Sequence, residues 1–444
     1  MHYEIIVRQV EEGKIVSEKL VKEIEVKKPE SIIDIGFRHC EQVEIIGGIQ
    51  DAYIPLQCKL LFDNYNICPK CQGKTRKNGT HTAFFHSSLS DHKLKMQGYS
   101  CSCGWQSKPT IHGEFGTNVH PDLIKIQATM GAKMPYKEAE TTIAEFSCSK
   151  RSVNNHVKIA EATNKVGEIL NKIKLEEELG KVAESKILYL HVDGGHIKDK
   201  NREKRSFEAM VSTVFKPESY RAINDNDNVI EYKHVAASAL DDHGATINQL
   251  TLKAARKEGL SLATSVTAFC DGATNCWNIV DSLQGYCKSI TKILDWFHIR
   301  QVYDRAMSAL PDYYDNLKSS KYKVWHGKAS EGIAKLKALE AALIFKQLAN
   351  TKIEKVTFII TYLTNNLEKL VNYMERKTSN LAYTSNVAEA TVESQINIRF
   401  KRKQKMQWTR ENAHNVLQIR TTMYSDEWQK YQPAVDTELM KKAA

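Results

Sequence analysis

Two short apolar runs, each ending in an aspartate followed by glycine, constrain this chain more than any other feature of it. Ile187-Leu-Tyr-Leu-His-Val192 is apolar enough for a buried strand and runs into Asp193-Gly194-Gly195. Val266-Thr-Ala-Phe-Cys270 repeats the design, with β-formers running into Asp271-Gly272-Ala273. Glycine frees the backbone to turn, so the pattern predicts a carboxylate at the mouth of each strand. A single Asp-Gly is an ordinary turn. Two of them closing strands in an α/β pattern say more, because such folds build their sites at the carboxyl ends of the strands.

The intervening chain supplies the rest of a sheet. Ser206–Phe215 and Tyr232–Ala239 alternate as strands, Ala245–Glu258 reads as a crossover helix, and Ile290–Trp296 makes a fifth strand. The first three strands can form an antiparallel meander ahead of the crossover. From Tyr303 to about Arg376 the pattern is helical, and its apolar stripes through Ile333, Leu336, Leu339 and Leu343 read as core packing. A third acidic station lies beyond it. Glu389 and Glu393 are four apart and share one face of a helix, and spacing alone does not choose between them. Arg399, Lys401, Arg402, Lys403 and Lys405 follow. A solvated face is the usual meaning of such a run, and beside an acidic site it also suits the backbone of a polyanion.

Asp193-Gly-Gly, Cys270-Asp271-Gly, Asp295-Trp-Phe-His298, Ser385-Asn-Val-Ala-Glu389, Arg399-Phe-Lys401, Met406-Gln-Trp408 and Leu417-Gln-Ile-Arg420 together resemble the DDE transposases of bacterial insertion sequences, over most of residues 185 to 430. The resemblance implies an α/β ribonuclease-H-like catalytic domain with a helical insertion, in which two aspartates and a helical glutamate hold divalent metal. The aspartates fall on Asp193 and Asp271. The glutamate falls on Glu389, which keeps the family's interval before the Arg399-x-Lys401 pair, with Glu393 in reserve. The Asp295-x-x-His298 pair is similar to a signature whose histidine lies near the metal, which adds His298 to the catalytic group. Three converging carboxylates can place two Mg²⁺ (or Mn²⁺) ions roughly 3.5–4 Å apart for phosphodiester cleavage and strand transfer. Asp193 is then expected to bridge both ions, Asp271 to bind one and Glu389 the other. The implied partner is double-stranded DNA, as element ends with inverted repeats and as target. Pairing of two ends implies a homodimer or larger assembly, and the expected location is the bacterial cytoplasm, at the nucleoid. The alternative readings are a nuclease or resolvase on the same fold, and an inactive DNA-binding regulator derived from such an enzyme.

Two further signals lie upstream. Cys68-x-x-Cys71, with Gly73 after it, and Cys101-x-Cys103, with Gly104-Trp105 after it, read as the knuckles of a zinc ribbon whose four thiolates close a structural site. The one-residue spacing of the second pair leaves room for His112 or another histidine to replace a ligand. Residues 120–157 then read as helix, turn and second helix, with Ser149 capping a helix over Lys150–Val157. Lys150, Arg151, Asn154 and Asn155 of that helix are candidates for a DNA groove. Residues 1–63 are expected to hold a hairpin (Tyr3–Val10 and Ile15–Val26) and a helix from Ser31. The domains expected are thus 1–63, the ribbon at 64–115, the helix-turn-helix region at 116–180, the catalytic domain at 184–431 with its insertion at about 303–376, and a frayed tail at 432–444.

Composition agrees with an acidic partner. Lys plus Arg exceed Asp plus Glu by 63 to 53, a net charge of +10, which favours nucleic acid. No stretch approaches the roughly 18 apolar residues that read as a membrane span. The first residues lack a charged and then apolar leader, so no secretion is inferred. The ten cysteines are accordingly expected as metal ligands or buried thiols and not as a disulfide framework. No phosphate-cradling glycine loop or dinucleotide fingerprint occurs, so no nucleotide cofactor is expected.

Overall fold

A computed structural model describes residues 1–222, 228–379, 381–384, 391–401 and 406–441. It divides into two units, Met1–Ile169 with Lys430–Ala444, and Leu170–Gln429.

The first unit opens with the hairpin β1 (His2–Glu11) and β2 (Lys14–Glu25). Its turn residues Glu12 and Gly13 both take positive φ, as a two-residue hairpin requires. The helix expected from Ser31 is a single 3-10 turn, Ile32–Asp34, in which the Asp34 carboxylate accepts from the Ser31 N–H at 2.9 Å. The long helix α1 (His39–Leu61) starts later. Ile54 and Cys58 of α1, with Phe62 just beyond it, pack on Ala83, Leu94 and Met96 of the antiparallel strands β3 (Arg76–His86) and β4 (Asp91–Ser100). A short β5 (Gln106–Ser107) pairs with β4. Four helices follow: α2 (Ile111–Phe115), α3 (Pro121–Lys133), α4 (Tyr136–Phe146) and α5 (His156–Glu176).

Three further expectations change in this unit. The helix placed over Lys150–Val157 is instead a 3-10 turn, Ser152–Asn154, and α5 begins at His156. Asn155 decides that start, because its Oδ1 accepts from the N–H groups of Val157 and Lys158, both at 3.0 Å, and such caps compete with helix propagation. Cys40 and Cys148, 108 residues apart, form a disulfide. The first turn of α1 lies against the end of α4, where His39 also bonds the Phe146 carbonyl at 2.8 Å. The expected tail contains a helix, Trp428–Met440, with Tyr431, Val435 and Leu439 buried.

In the second unit, β6 (Ile187–Lys198), β7 (Ser206–Phe215) and β10 (His234–Ser238) form an antiparallel meander, interrupted by a small hairpin of β8 (Tyr220–Ala222) and β9 (Asn228–Ile230). Helix α6 (Ala245–Lys257) leads to β11 (Ser265–Cys270), which lies parallel to β6. After α7 (Thr274–Asp281), β12 (Ser289–Leu294) lies parallel to β11. The order β10-β7-β6-β11-β12 makes one mixed five-stranded sheet. Alternation along the strands separates its two faces. Leu188, Leu190, Val192, Val266 and Ala268 meet α6 and α7. Tyr189, Phe269 and Ile293 meet the helical layer of α8 (Trp296–Ala309), α9 (Tyr314–Trp325), α10 (Ala329–Phe345) and α11 (Asn350–Asn365). A short α12 (Tyr373–Thr378), a π-helix at Glu393–Lys401 and α13 (Arg410–Tyr424) complete this unit.

Strand β6 does not stop at Asp193. Its parallel pairing with β11 ends at Val192↔Cys270, while its antiparallel pairing with β7 continues from Asp193↔Val211 to Lys198↔Ser206. The glycines therefore serve close packing and not a turn. A Cβ on Gly195 would lie 2.8 Å from Ile396 Cδ1 of the π-helix, and one on Gly194 would lie 2.5 Å from Glu208 Oε1.

Candidate functional site

Register brings the two aspartates together. Cys270 lies beside Val192 across the β6–β11 ladder, so the next residues, Asp193 and Asp271, emerge side by side on the face away from α6 and α7. Asp271 leaves its strand in a turn in which its Oδ1 accepts from the Ala273 N–H at 2.9 Å and Gly272 takes φ of 102°. Asp295, fully buried, ends β12 and caps α8 by accepting from the Phe297 N–H at 3.2 Å. One turn into α8, His298 Nδ1 donates to Asp295 Oδ2 at 2.7 Å. That bond fixes the ring and leaves Nε2 as the nitrogen open to a ligand. Asp193, Asp271 and His298 each offer one ligand atom, and all three atoms lie within 4.8 Å of one another. A set of two carboxylates and an imidazole at this spacing fits a divalent cation.

The electrostatics favour a cation there. Burial raises the Asp193 carboxyl above its ordinary range; the nearby Asp271 and Asp295 charges add to this, and His298 and the Gly194 N–H oppose it. Burial alone would lower His298. The hydrogen bond to Asp295 and the charges of Asp295, Asp193 and Asp271 outweigh it and raise the imidazole. A protonated His298 thus supplies part of the positive charge that the carboxylates lack, and a bound cation would supply more.

The third acidic station is only partly described. Glu389 lies outside the described residues, as do Arg402, Lys403 and Lys405. Glu393 begins the π-helix and accepts from Asn397 Nδ2 at 2.8 Å. Val392, the residue before it, lines the same small cavity as Asp193, Asp271 and His298. This element is held against β6 by Ile396 at Gly195, two residues along the strand from Asp193 and on the same face. Of the basic run, Lys401 is exposed, whereas Arg399 is 2% exposed. The expectation that Arg399 faces a polyanion does not hold, because its guanidinium lies 4.8 Å from the centre of the Trp408 ring and Nη1 is 3.6 Å from Met406 Sδ.

In the first unit the four cysteines converge. Cys68 and Cys103 sulfurs are 3.6 Å apart, Cys71 and Cys101 sulfurs 3.4 Å, and all four lie within 4.8 Å. Tetrahedral zinc–thiolate bonds of about 2.3 Å place sulfurs roughly 3.8 Å apart, so the cluster fits such an ion without His112, which is not one of the four converging donors. The short second spacing works because Gly104, at φ of 87°, lets its N–H reach back to the Cys101 carbonyl at 3.0 Å. In the first knuckle Gln72, and not Gly73, takes the left-handed backbone, at φ of 59°. The Cys103 N–H, aided by hydrogen bonding with Cys71, brings Cys101 down to about 6. The Gly73 N–H favours a Cys71 thiolate, but hydrogen bonding with Cys101, Cys103 and Cys68 outweighs it and raises Cys71 to about 12. Adjacent thiols resist joint ionisation, which a cation would relieve.

The candidate DNA-reading residues divide. Lys150 is exposed and Asn155 partly so. Arg151 and Asn154 are turned inward, against expectation. Arg151 Nη2 lies 2.6 Å from Asp91 Oδ1 and also donates to the Ser87 and Ser90 carbonyls, and Asn154 Oδ1 accepts from Gln127 Nε2 at 2.9 Å. Buried polar groups need such partners, and these partners lie far enough back in the chain that residue type alone did not reveal them.

Three contributors to the acidic site carry no sequence signal. His191 lines the cavity under the carboxylates, between the Phe215 and Phe269 rings at 5.2 and 4.8 Å. Tyr362 of α11 donates its hydroxyl to the Asp271 carbonyl at 2.6 Å, which braces that turn. Val392 closes one side of the cavity.

No family model matches the chain, and no curated protein matches it. Among solved structures it is similar to a chain of a Drosophila P element transposase strand transfer complex, at 10% identity over 71% of this chain and 80% of that one. The TM-score is 0.22, too low for the likeness to carry weight.

Proposed function

We propose that this chain is a metal-dependent DNA transposase of the insertion-sequence type, built on a ribonuclease-H-like sheet. The observation that carries the reading is the convergence of Asp193, Asp271 and His298 within 4.8 Å. The sheet order supports it: three antiparallel strands, then two parallel ones, with the acids on the neighbouring strands β6 and β11.

In this reading Asp193 and Asp271 hold divalent metal, and Glu389 (or Glu393) supplies the third carboxylate. Such ions, when bound, lower the pKa of the attacking water or DNA 3′-hydroxyl and stabilise the leaving oxygen. His298, oriented by Asp295, offers a nitrogen that shifts the preference from Mg²⁺ toward Mn²⁺, since imidazole suits transition metals better than Mg²⁺. Its raised pKa favours a proton on that ring, between the carboxylates, when no ion is present. Tyr362 keeps the Asp271 turn in place. Lys401, Arg402, Lys403 and Lys405 grip backbone phosphates, which makes binding salt-sensitive. Lys150, Asn155 and the exposed Lys158 and Lys165 of α5 contact the duplex of the element ends, and zinc on the four cysteines shapes the ribbon.

The test is Asp271→Asn with DNA carrying the sequences that flank the gene on either side. Mn²⁺- or Mg²⁺-dependent cleavage should fall on the order of a hundredfold or more, with circular dichroism unchanged. Undiminished cleavage would remove Asp271 from the mechanism. Pre-cut ends that bind but never join a target would favour a nuclease over a transposase.

A further inference from the structure

The hairpin at the start of the chain has no core. Neither β1 nor β2 buries a single side chain, and Tyr3, Val10, Ile15, Val16 and Leu20 are each more than half exposed. A two-stranded hairpin is marginal in water unless a further strand or a packed face supports it.

The two strands differ in how their outer edges are guarded. Between Ile5↔Lys22 and Ile6↔Leu20 the extra residue is Val21, and between Gln9↔Ser17 and Val10↔Ile15 it is Val16. Both bulges therefore fall on β2, and bulges twist an edge away from further pairing. Strand β2 is also engaged by α1, where Val21 Cγ1 lies 2.6 Å from where a Cβ on Gly48 would sit and Lys22 lies 3.5 Å from Glu41 and Glu44. Strand β1 is unbulged over its whole length, has no proline, and pairs on one side only among the described residues.

Its sequence is complementary to itself when reversed. Glu4-Ile5-Ile6-Val7-Arg8 laid antiparallel on a second copy about Ile6 sets Ile6 on Ile6, Ile5 on Val7, and Glu4 on Arg8 twice. Within the hairpin Glu4 faces Glu23, a like-charge pair that costs stability, with His2 3.9 Å from each. Arg8 uses Nε for Glu18 at 2.8 Å, and a guanidinium has further N–H groups for a second carboxylate.

We propose that β1 is a homodimerisation strand: two copies pair edge to edge about a two-fold axis at Ile6, making a four-stranded sheet of order β2-β1-β1-β2. The pairing does not depend on the acidic site or on DNA, so its failure leaves the proposed function untouched.

A two-fold axis makes Ile6 meet its own copy, which gives a specific test by light scattering on the full chain. Wild type should be dimeric. Ile6→Lys and Ile6→Glu should each be monomeric, with dissociation constants raised on the order of a hundredfold or more by like-charge juxtaposition. Because Ile6 is only partly buried, circular dichroism should be unchanged in both. An equimolar mixture of the two variants should restore the dimer. A monomeric wild type, a single variant that stays dimeric, or a mixture that stays monomeric would each overturn the proposal. An edge that instead captures an unrelated extended peptide would appear as the first of these outcomes.

Discussion

Gly195→Ala tests whether packing between β6 and the π-helix positions the acidic site. The added Cβ would lie 2.8 Å from Ile396 Cδ1, 3.0 Å from Cγ2 and 3.4 Å from Cβ. Rotation can move Cδ1 away. Cγ2 can move only by a change of χ1, for which a fully buried β-branched residue has little room, and Cβ is fixed to the backbone. The expected cost is about 1–3 kcal/mol of stability, as for other overpacked cores. The functional cost is larger, because Val392 and Glu393 travel with Ile396, and a displacement of about 1 Å at a catalytic site loses on the order of a hundredfold in rate. Ile396→Ala alone leaves a cavity and should cost about 2–5 kcal/mol. In the double variant the two closest of these contacts are gone and the residue-396 Cβ lies at 3.4 Å from the new Cβ. The double variant should therefore be more stable than the sum of the singles by about 1–3 kcal/mol. Urea unfolding measures the cycle, and Mn²⁺ binding and DNA cleavage measure the site. Strict additivity, or a Gly195→Ala chain with unchanged stability and cleavage, would refute the account.

Two more outcomes follow from the buried groups. His191 is 3% exposed, its ring nitrogens have no hydrogen-bond partner among the described residues, and burial lowers it from 6.5 to about 4 despite the Asp295 charge. Above pH 6.5 it is neutral in both states; as pH falls from 6.5 to 4 the unfolded chain takes a proton that the native ring refuses, so stability drops by up to about 3 kcal/mol. His191→Phe should remove that part of the acid slope between the flanking Phe rings, and identical urea midpoints against pH for both chains would count against it. For the cysteine cluster, elemental analysis should find one zinc per chain, lost in Cys71→Ser, and chelation should open residues 68–105 to protease while β6 to β12 stay protected. A metal-free chain with the same protease resistance would exclude a structural ion.

Much of this architecture is legible in local pattern. Short apolar, β-forming runs mark β6 and β11, alternation marks β7, the glycine-flanked cysteine pairs mark the four-cysteine cluster, and Asp193, Asp271 and the Asp295-x-x-His298 pair are visible as residues with chemistry. These signals span a few residues each, and propensity acts at that range. Tertiary structure decided what such windows cannot hold. The Val192↔Cys270 register makes the two aspartates neighbours, and a slip by one residue would put one of them on the opposite face. Strand β6 runs past Asp193 because β7 still pairs with it there. Arg151, Asn154 and Arg399 look like surface cations and amides in sequence, yet Asp91, Gln127 and Trp408 draw them inward. Cys40 finds Cys148 across 108 residues. For Arg151 and Asn154 the deciding partner is remote along the chain, and the free energy of leaving a buried polar or charged group without a partner selects the contact.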